Sequence, residues 1–143
     1  MKANRSLPAA TVIPVLVYPD VRAAVAWLCA AFGFTERLRI GEDHRSQLRV
    51  GDGAVIVADV SGDRHAPRPG DGAHSVIVRV ADARAHCERA RQSGARIVME
   101  PTDMMYGERQ YSAEDHAGHR WTFSETLADV DPQTWGGEYP GPD

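Results

Sequence analysis

Apolar positions along the chain fall into two sets that follow one order. The first stretch, ATVIPVLVY (10–18), is apolar at successive positions and β-rich, which predicts a buried strand. PDVRAAVAWLCAAFGF follows. There Val21, Val25, Leu28 and Phe32 recur at helical spacing, Asp20 offers an N-cap and Gly33 a stop. FTERLRI alternates as a strand does, and HRSQLRV and AVIVADV read as a hairpin joined at GDG (51–53). A polar Gly/Pro linker occupies residues 61–73, and then the order returns. HSVIVRV (74–80) predicts a strand. ADARAHCERARQSGA predicts a helix capped by Asp82 and stopped by Gly94, and RIVME a strand. ERQYSAED and HRWTFSE predict a second hairpin around HAG (116–118).

The pattern is βαβββ, a linker, and βαβββ again, so it predicts an internal duplication and an α+β class. VYPDVRAAV matches RVADARAHC, and GAVIVADV matches GHRWTFSE. Residues 1–126 are expected to form one domain of two modules, about 10–60 and 74–126. Residues 127–143 read as an irregular acidic tail, with Trp135 and Tyr139 docking part of it on the body.

Composition narrows the function. The 43 % hydrophobic content can supply a core, and the net charge is −4 without a basic stripe. Nucleic-acid binding, which needs clustered cations, is therefore not expected. Apart from one Lys the basic side chains are Arg, which suits planar carboxylates and aromatic ligands. Pro8 and Pro14 interrupt the N-terminal apolar run, leaving neither a signal peptide nor a membrane span. A cytoplasmic location is expected. Cys29 and Cys87 both fall in predicted helices and read as buried small hydrophobes.

With a strand, then PDVRAAVAWLCAAFGF, and a final YGERQYSAEDHAGHRWTFSE, the chain resembles the vicinal oxygen chelate superfamily. That group includes glyoxalase I, extradiol dioxygenases, fosfomycin-resistance enzymes and bleomycin-resistance proteins. The turn from Asp115 to Trp121 is most similar to a bacterial glyoxalase-like branch. The resemblance implies curved mixed sheets around a cavity, helices on their outer faces, and a homodimer. It also implies metal-ligand positions, which carry over through the internal repeat to Ile13, Val57, Ser75 and Thr122. Transition metals take imidazole, carboxylate or thiolate donors, and these four offer none, so no metal or other cofactor is expected. His74 and Glu125 are the alternative ligands should the strand register shift by one. His44, His65 and His86 lack a ligand-spaced partner, and His116 and His119 read as solvated turn residues.

Alternation points Trp121 and Phe123 at the helices, and Arg120, Thr122 and Ser124 into the cavity. Likewise Val76 and Val78 face the helices, and Ile77 and Arg79 the cavity. Gln47, Arg49 and Asp59 complete the polar wall, with Val15 and Val17 beside them. Tyr106, Arg109 and Tyr111 are expected at the cavity rim, in or after the loop PTDMMYGERQY. Arg79 calls for a partner, either Asp59 or Glu125 internally or a ligand carboxylate or phenolate. Arg109 pairs with Glu108 or Asp103, or binds ligand. The expected function is metal-independent binding of a small, partly aromatic or anionic molecule, such as sequestration of an antibiotic or metabolite. The alternative is an isomerase, cyclase or lyase-like enzyme of the same fold, metal-free or with unusual ligands. Asp59 with Tyr111 is a conceivable acid/base pair for it.

Overall fold

Two aspartates set the two long helices. In the computed structural model, which describes residues 2–141, Asp20 accepts a hydrogen bond from the Ala23 N–H (2.9 Å) and opens α1 (Val21–Phe32). Asp82 accepts from the Ala85 N–H (3.0 Å) and opens α2 (Ala83–Gln92). Each side chain satisfies a donor that the first helical turn leaves free. Gly33 ends α1 at φ 79°, a left-handed conformation that glycine adopts without strain, and its N–H reaches the Cys29 carbonyl (3.1 Å).

Each helix belongs to a module of identical topology. In the first, β1 (Val15–Val17) lies parallel to β4 (Gly53–Ala58), followed by β3 (Arg45–Val50) and β2 (Thr35–Ile40), both antiparallel. In the second, β5 (Ser75–Arg79) lies parallel to β8 (Arg120–Thr126), followed by β7 (Glu108–Glu114) and β6 (Arg96–Asp103). The register even breaks at matching places, between Glu36 and Leu38 in β2 and between Ile97 and Met99 in β6. This is the duplicated α+β arrangement that the pattern predicts. β1 is shorter than the apolar run 10–18 because Pro14 has no N–H to donate, although its carbonyl still accepts from Ile56 (2.9 Å).

The modules share one core. Leu16, Tyr18, Leu48, Val55 and Val57 of the first sheet and Tyr111, Ala113, Trp121 and Phe123 of the second bury against α1 and α2 in a single cluster. The Phe32 ring stands 5.6 Å from Trp121 and 4.7 Å from Phe123. α2 contributes only Ala83, Cys87 and Ala90 to the core, so it packs close. Polar contacts join the helices as well: Trp27 Nε1 donates to the Ser93 carbonyl (2.6 Å) and Arg89 Nε to the Ala30 carbonyl (2.8 Å). Each helix covers one face of its sheet, and the two covered faces meet. The opposite faces therefore open outward, which leaves Val15 49 % and Ile77 66 % exposed.

Two expectations change here. Tyr111 is fully buried in β7, opposite Phe123, and does not lie at a rim. Cys87 is buried but Cys29 only half so, and both are free thiols. The linker is docked: the Gly70 N–H donates to Glu114 (2.9 Å), and a side chain at Gly118 would meet the Arg68 and Pro69 backbone at 2.9 Å. Beyond β8, Leu127 N–H reaches the Gly107 carbonyl (2.8 Å) and the half-exposed Trp135 packs on Tyr106, while Tyr139 is exposed. Among the described residues no helix is long and apolar enough to cross a membrane.

His86 lies half-buried on α2 at the edge of the shared core, against Phe32 and Phe123. Its Nε2 donates to the Phe32 carbonyl (3.0 Å), so Nδ1 carries no proton and accepts from the Tyr111 hydroxyl. Burial lowers its pKa below the ordinary value, favouring the neutral ring. In the range between the folded and unfolded pKa values, the unfolded chain binds more protons. Stability should therefore be full above about pH 6.5 and fall as pH drops through the folded pKa. Thermal unfolding of His86→Gln between about pH 7 and pH 5 should show a shallower fall in Tm than the parent protein.

Candidate functional site

The turn between β7 and β8 holds the densest buried polar cluster. The Asp115 carboxylate accepts from the Tyr18 hydroxyl (2.5 Å), Trp121 Nε1 (3.0 Å) and the N–H groups of Ala117 (3.1 Å) and His119 (3.0 Å). Burial and the neighbouring Asp115 charge raise the Tyr18 pKa well above its ordinary value, so the phenol stays protonated and donates. His119 is buried rather than solvated. Its Nε2 donates to the Val17 carbonyl (2.7 Å), and its ring tilts over Tyr18 at 4.6 Å. These contacts bind the second module's turn to β1 of the first module. With every carboxylate oxygen occupied, Asp115 acts as a joint. His116 stays exposed and meets the Trp27 ring edge-on at 4.7 Å.

The strand registers revise the carried-over metal positions. Ile77 opposes Thr122 in the second module, and its counterpart Val15 opposes Ile56. The equivalent of Thr122 is therefore Ile56, one residue before the expected Val57, which belongs to the core beneath the helices. The corrected set of Ile13, Ile56, Ser75 and Thr122 still offers two aliphatic groups and two neutral hydroxyls, which do not fit a transition metal. His74 and Glu125 are not brought together. His74 precedes β5 beside His119, with ring centroids 6.2 Å apart. Glu125 lies at the far end of β8, roughly 20 Å away at strand rise, where its Oε1 accepts from the Ala83 N–H (2.8 Å).

The open face of the second sheet carries a connected polar network. Tyr106 donates to Gln110 Oε1 (2.8 Å), Gln110 Nε2 to Ser124 Oγ (3.0 Å), and Ser124 Oγ to Glu108 Oε1 (2.6 Å). Chiefly the hydrogen bond from the Ser124 hydroxyl holds the Glu108 carboxyl below its ordinary pKa. Ser112 and Thr122 share a hydrogen bond at 2.8 Å. Arg79 takes neither expected partner; its Nη1 donates to Thr126 Oγ1 (2.6 Å). Tyr106, Thr122, Ser124 and Arg79 thus share one face, joined by Glu108, Gln110 and Ser112, which the sequence reading did not select. Strict alternation along β7 would have selected them.

The other site candidates lie elsewhere. Arg109 is on the helix side and braces Asp103 (Nε to Oδ1, 2.6 Å), with Glu125 3.9 Å away. Tyr111 is in the core. Asp59 lies just past β4 and pairs with His44 (3.0 Å) and Arg64 (3.4 Å), separate from Tyr111. Arg120 lies 3.8 Å from the buried Glu114, near the linker glycine Gly72. Gln47 and Arg49 are on the open face of the first sheet. There Gln47 is sealed by the N-terminal arm: its Nε2 donates to the Ser6 carbonyl (2.7 Å) and its Oε1 accepts from Arg37. A separate, mostly apolar cavity of about 330 Å³ lies beside the α1 N-terminus, between Trp27, Tyr18 and His116.

Comparison with known proteins places this geometry among relatives. The family model described as Glyoxalase/Bleomycin resistance protein/Dioxygenase superfamily matches residues 10–123. TioX from Micromonospora sp. ML1 is 34 % identical, with a TM-score of 0.69 over 83 % of this chain and 100 % of its own. A glyoxalase/bleomycin resistance protein/dioxygenase family enzyme from Burkholderia phytofirmans PsJN shares the fold at 16 % identity and TM-score 0.66, over 83 % of this chain and 100 % of its own. So does the bleomycin-binding protein of bleomycin-producing Streptomyces verticillus, solved with copper(II)-bleomycin, at 21 % identity and TM-score 0.57, over 80 % of this chain and 93 % of its own. No curated protein gives a significant match.

Asp115→Asn puts an amide donor against the Tyr18, Trp121 and backbone donors. It should cost about 3 kcal/mol, read as a lower urea midpoint with unchanged slope. Tyr18→Phe, which removes one donor and leaves Asp115 three, should cost about 1–2 kcal/mol in the same measurement.

Proposed function

The chain belongs to the Glyoxalase/Bleomycin resistance protein/Dioxygenase superfamily, and from that premise we propose that it is a metal-independent receptor that sequesters a small, partly aromatic or anionic molecule without altering it. The observation that carries this reading is the open face of the second sheet. Its Tyr106–Gln110–Ser124–Glu108 chain and Ser112–Thr122 pair present fixed hydroxyl, amide and carboxylate groups beside exposed apolar surface. A few directed polar groups on an apolar wall orient a ligand. The residues at the family's metal positions supply no donor set, so binding falls to these groups. The Streptomyces verticillus neighbour is described as bleomycin-binding, which supports drug sequestration as the concrete form of the activity.

The assembly we propose is a homodimer in the cytoplasm. Val15 and Ile77 stand exposed on the two outward faces, and pairing with a second copy would cover them and close the faces into a cavity. Two unpaired thiols suit a reducing compartment.

A thermal-shift panel of aromatic and anionic small molecules tests the binding reading. We expect at least one to raise Tm with its concentration, to be recovered with unchanged mass, and to act equally with and without chelator. A Tm that falls with chelator, or a ligand returned chemically changed, would replace sequestration by catalysis.

A further inference from the structure

The N-terminal arm crosses the open face of the first sheet. Pro8 is buried, and two arm carbonyls are claimed from below: Ser6 by Gln47 Nε2 (2.7 Å) and Arg5 by Arg37 Nη2 (3.0 Å). The arm and sheet bound a groove of about 510 Å³, with a neighbouring hollow of about 380 Å³. Arg5, Arg37 and Arg49 line both. Gln47 and Arg49 are two apart on β3, so they share a face, and the bond from Arg37 to Gln47 fixes that guanidinium beside them.

Three arginines around one hollow set up a local positive potential that favours an anion there. Among the described residues no carboxylate pairs with any of the three. The acidic lining residue of the larger groove, Asp52 in the β3–β4 turn, forms no ion pair with them. By contrast, the nearby Arg22 and Arg39 are both neutralised by Glu36 (2.7 and 2.9 Å). Apart from Asn4, the other side chains of the lining are apolar, among them Leu7, Pro8 and Ala54 in the groove and Leu38 in the hollow.

We propose that Arg5, Arg37 and Arg49 form a subsite for the carboxylate of a planar aromatic acid. Guanidinium groups meet a carboxylate in a two-point fork and stack on an aromatic body, and the apolar lining receives that body. Three arginines on a chain of net charge −4 make a point site rather than the long cationic track a nucleic acid requires. The N-terminal arm is part of the wall, since it contributes Arg5 and the carbonyl that holds Arg37. This subsite rests on the receptor reading above and gives it a ligand class.

Benzoate and its neutral isostere benzamide separate the possibilities when titrated into the full chain at fixed ionic strength by calorimetry or NMR. Benzoate should bind about tenfold tighter than benzamide. Arg49→Gln should erase that preference by removing a guanidinium of the fork, and it should leave the fold intact because no hydrogen bond within the described chain depends on the Arg49 side chain. Arg91→Gln, on α2 and paired with Glu100 (2.5 Å), should keep it, and far-UV circular dichroism checks that each variant folds. Equal binding of both probes, or a preference that survives Arg49→Gln, overturns the arginine subsite while leaving the receptor reading intact. Absence of benzoate binding overturns it too, and the broader ligand panel then decides separately whether the protein is a receptor.

Discussion

The fold turns on one buried carboxylate. Asp115 gathers the Tyr18 hydroxyl, the Trp121 indole and two backbone donors, and so fixes the β7–β8 turn against β1. A buried charge is tolerable only when its lone pairs are all used, and here they are. The joint sets how the modules meet: Trp121 and Phe123 reach Phe32, the helices close on each other, and a single core forms. The outward orientation of the two remaining sheet faces follows, and both proposed binding surfaces lie on them.

Duplication has kept the frame and let the faces diverge. Both modules retain the aspartate cap, the parallel outer pair and the interruption in the second strand. Yet the first open face presents Arg37, Gln47 and Arg49 under the N-terminal arm, and the second presents hydroxyls, amides and Glu108. One face offers cations and apolar surface, the other hydrogen-bond donors and acceptors. In a two-fold assembly such unlike walls would supply charge recognition and orientation to one ligand.

Local signals were legible in the sequence. Asp20 and Asp82 announced the helix starts, and alternation set Trp121 and Phe123 apart from Thr122 and Ser124. Errors arose where turns or distant partners decide. Matching Gly53 to Gly118 shifted the register by one, because Gly53 pairs with Val50 across a two-residue turn whereas Gly118 lies inside a longer one between Glu114 and Arg120. Tyr111 follows the loop so closely in sequence that it groups with it, although β7 already begins at Glu108. His119 and Gln47 take partners 102 and 41 residues away, at Val17 and Ser6, and no periodicity encodes such contacts. The resemblance to the superfamily was legible because the order of elements carries it. The open-face network was only partly so, since Glu108, Gln110 and Ser112 look like ordinary polar strand residues.

The proposed receptor holds its ligand without metal, and a second copy completes its two open faces. Native mass spectrometry of the purified chain tests this most directly. The expected species is two 15.6 kDa chains with no transition-metal increment, taking up ligand at unchanged ligand mass. A chain that stays single while holding ligand, or one carrying a stoichiometric metal ion, would contradict it.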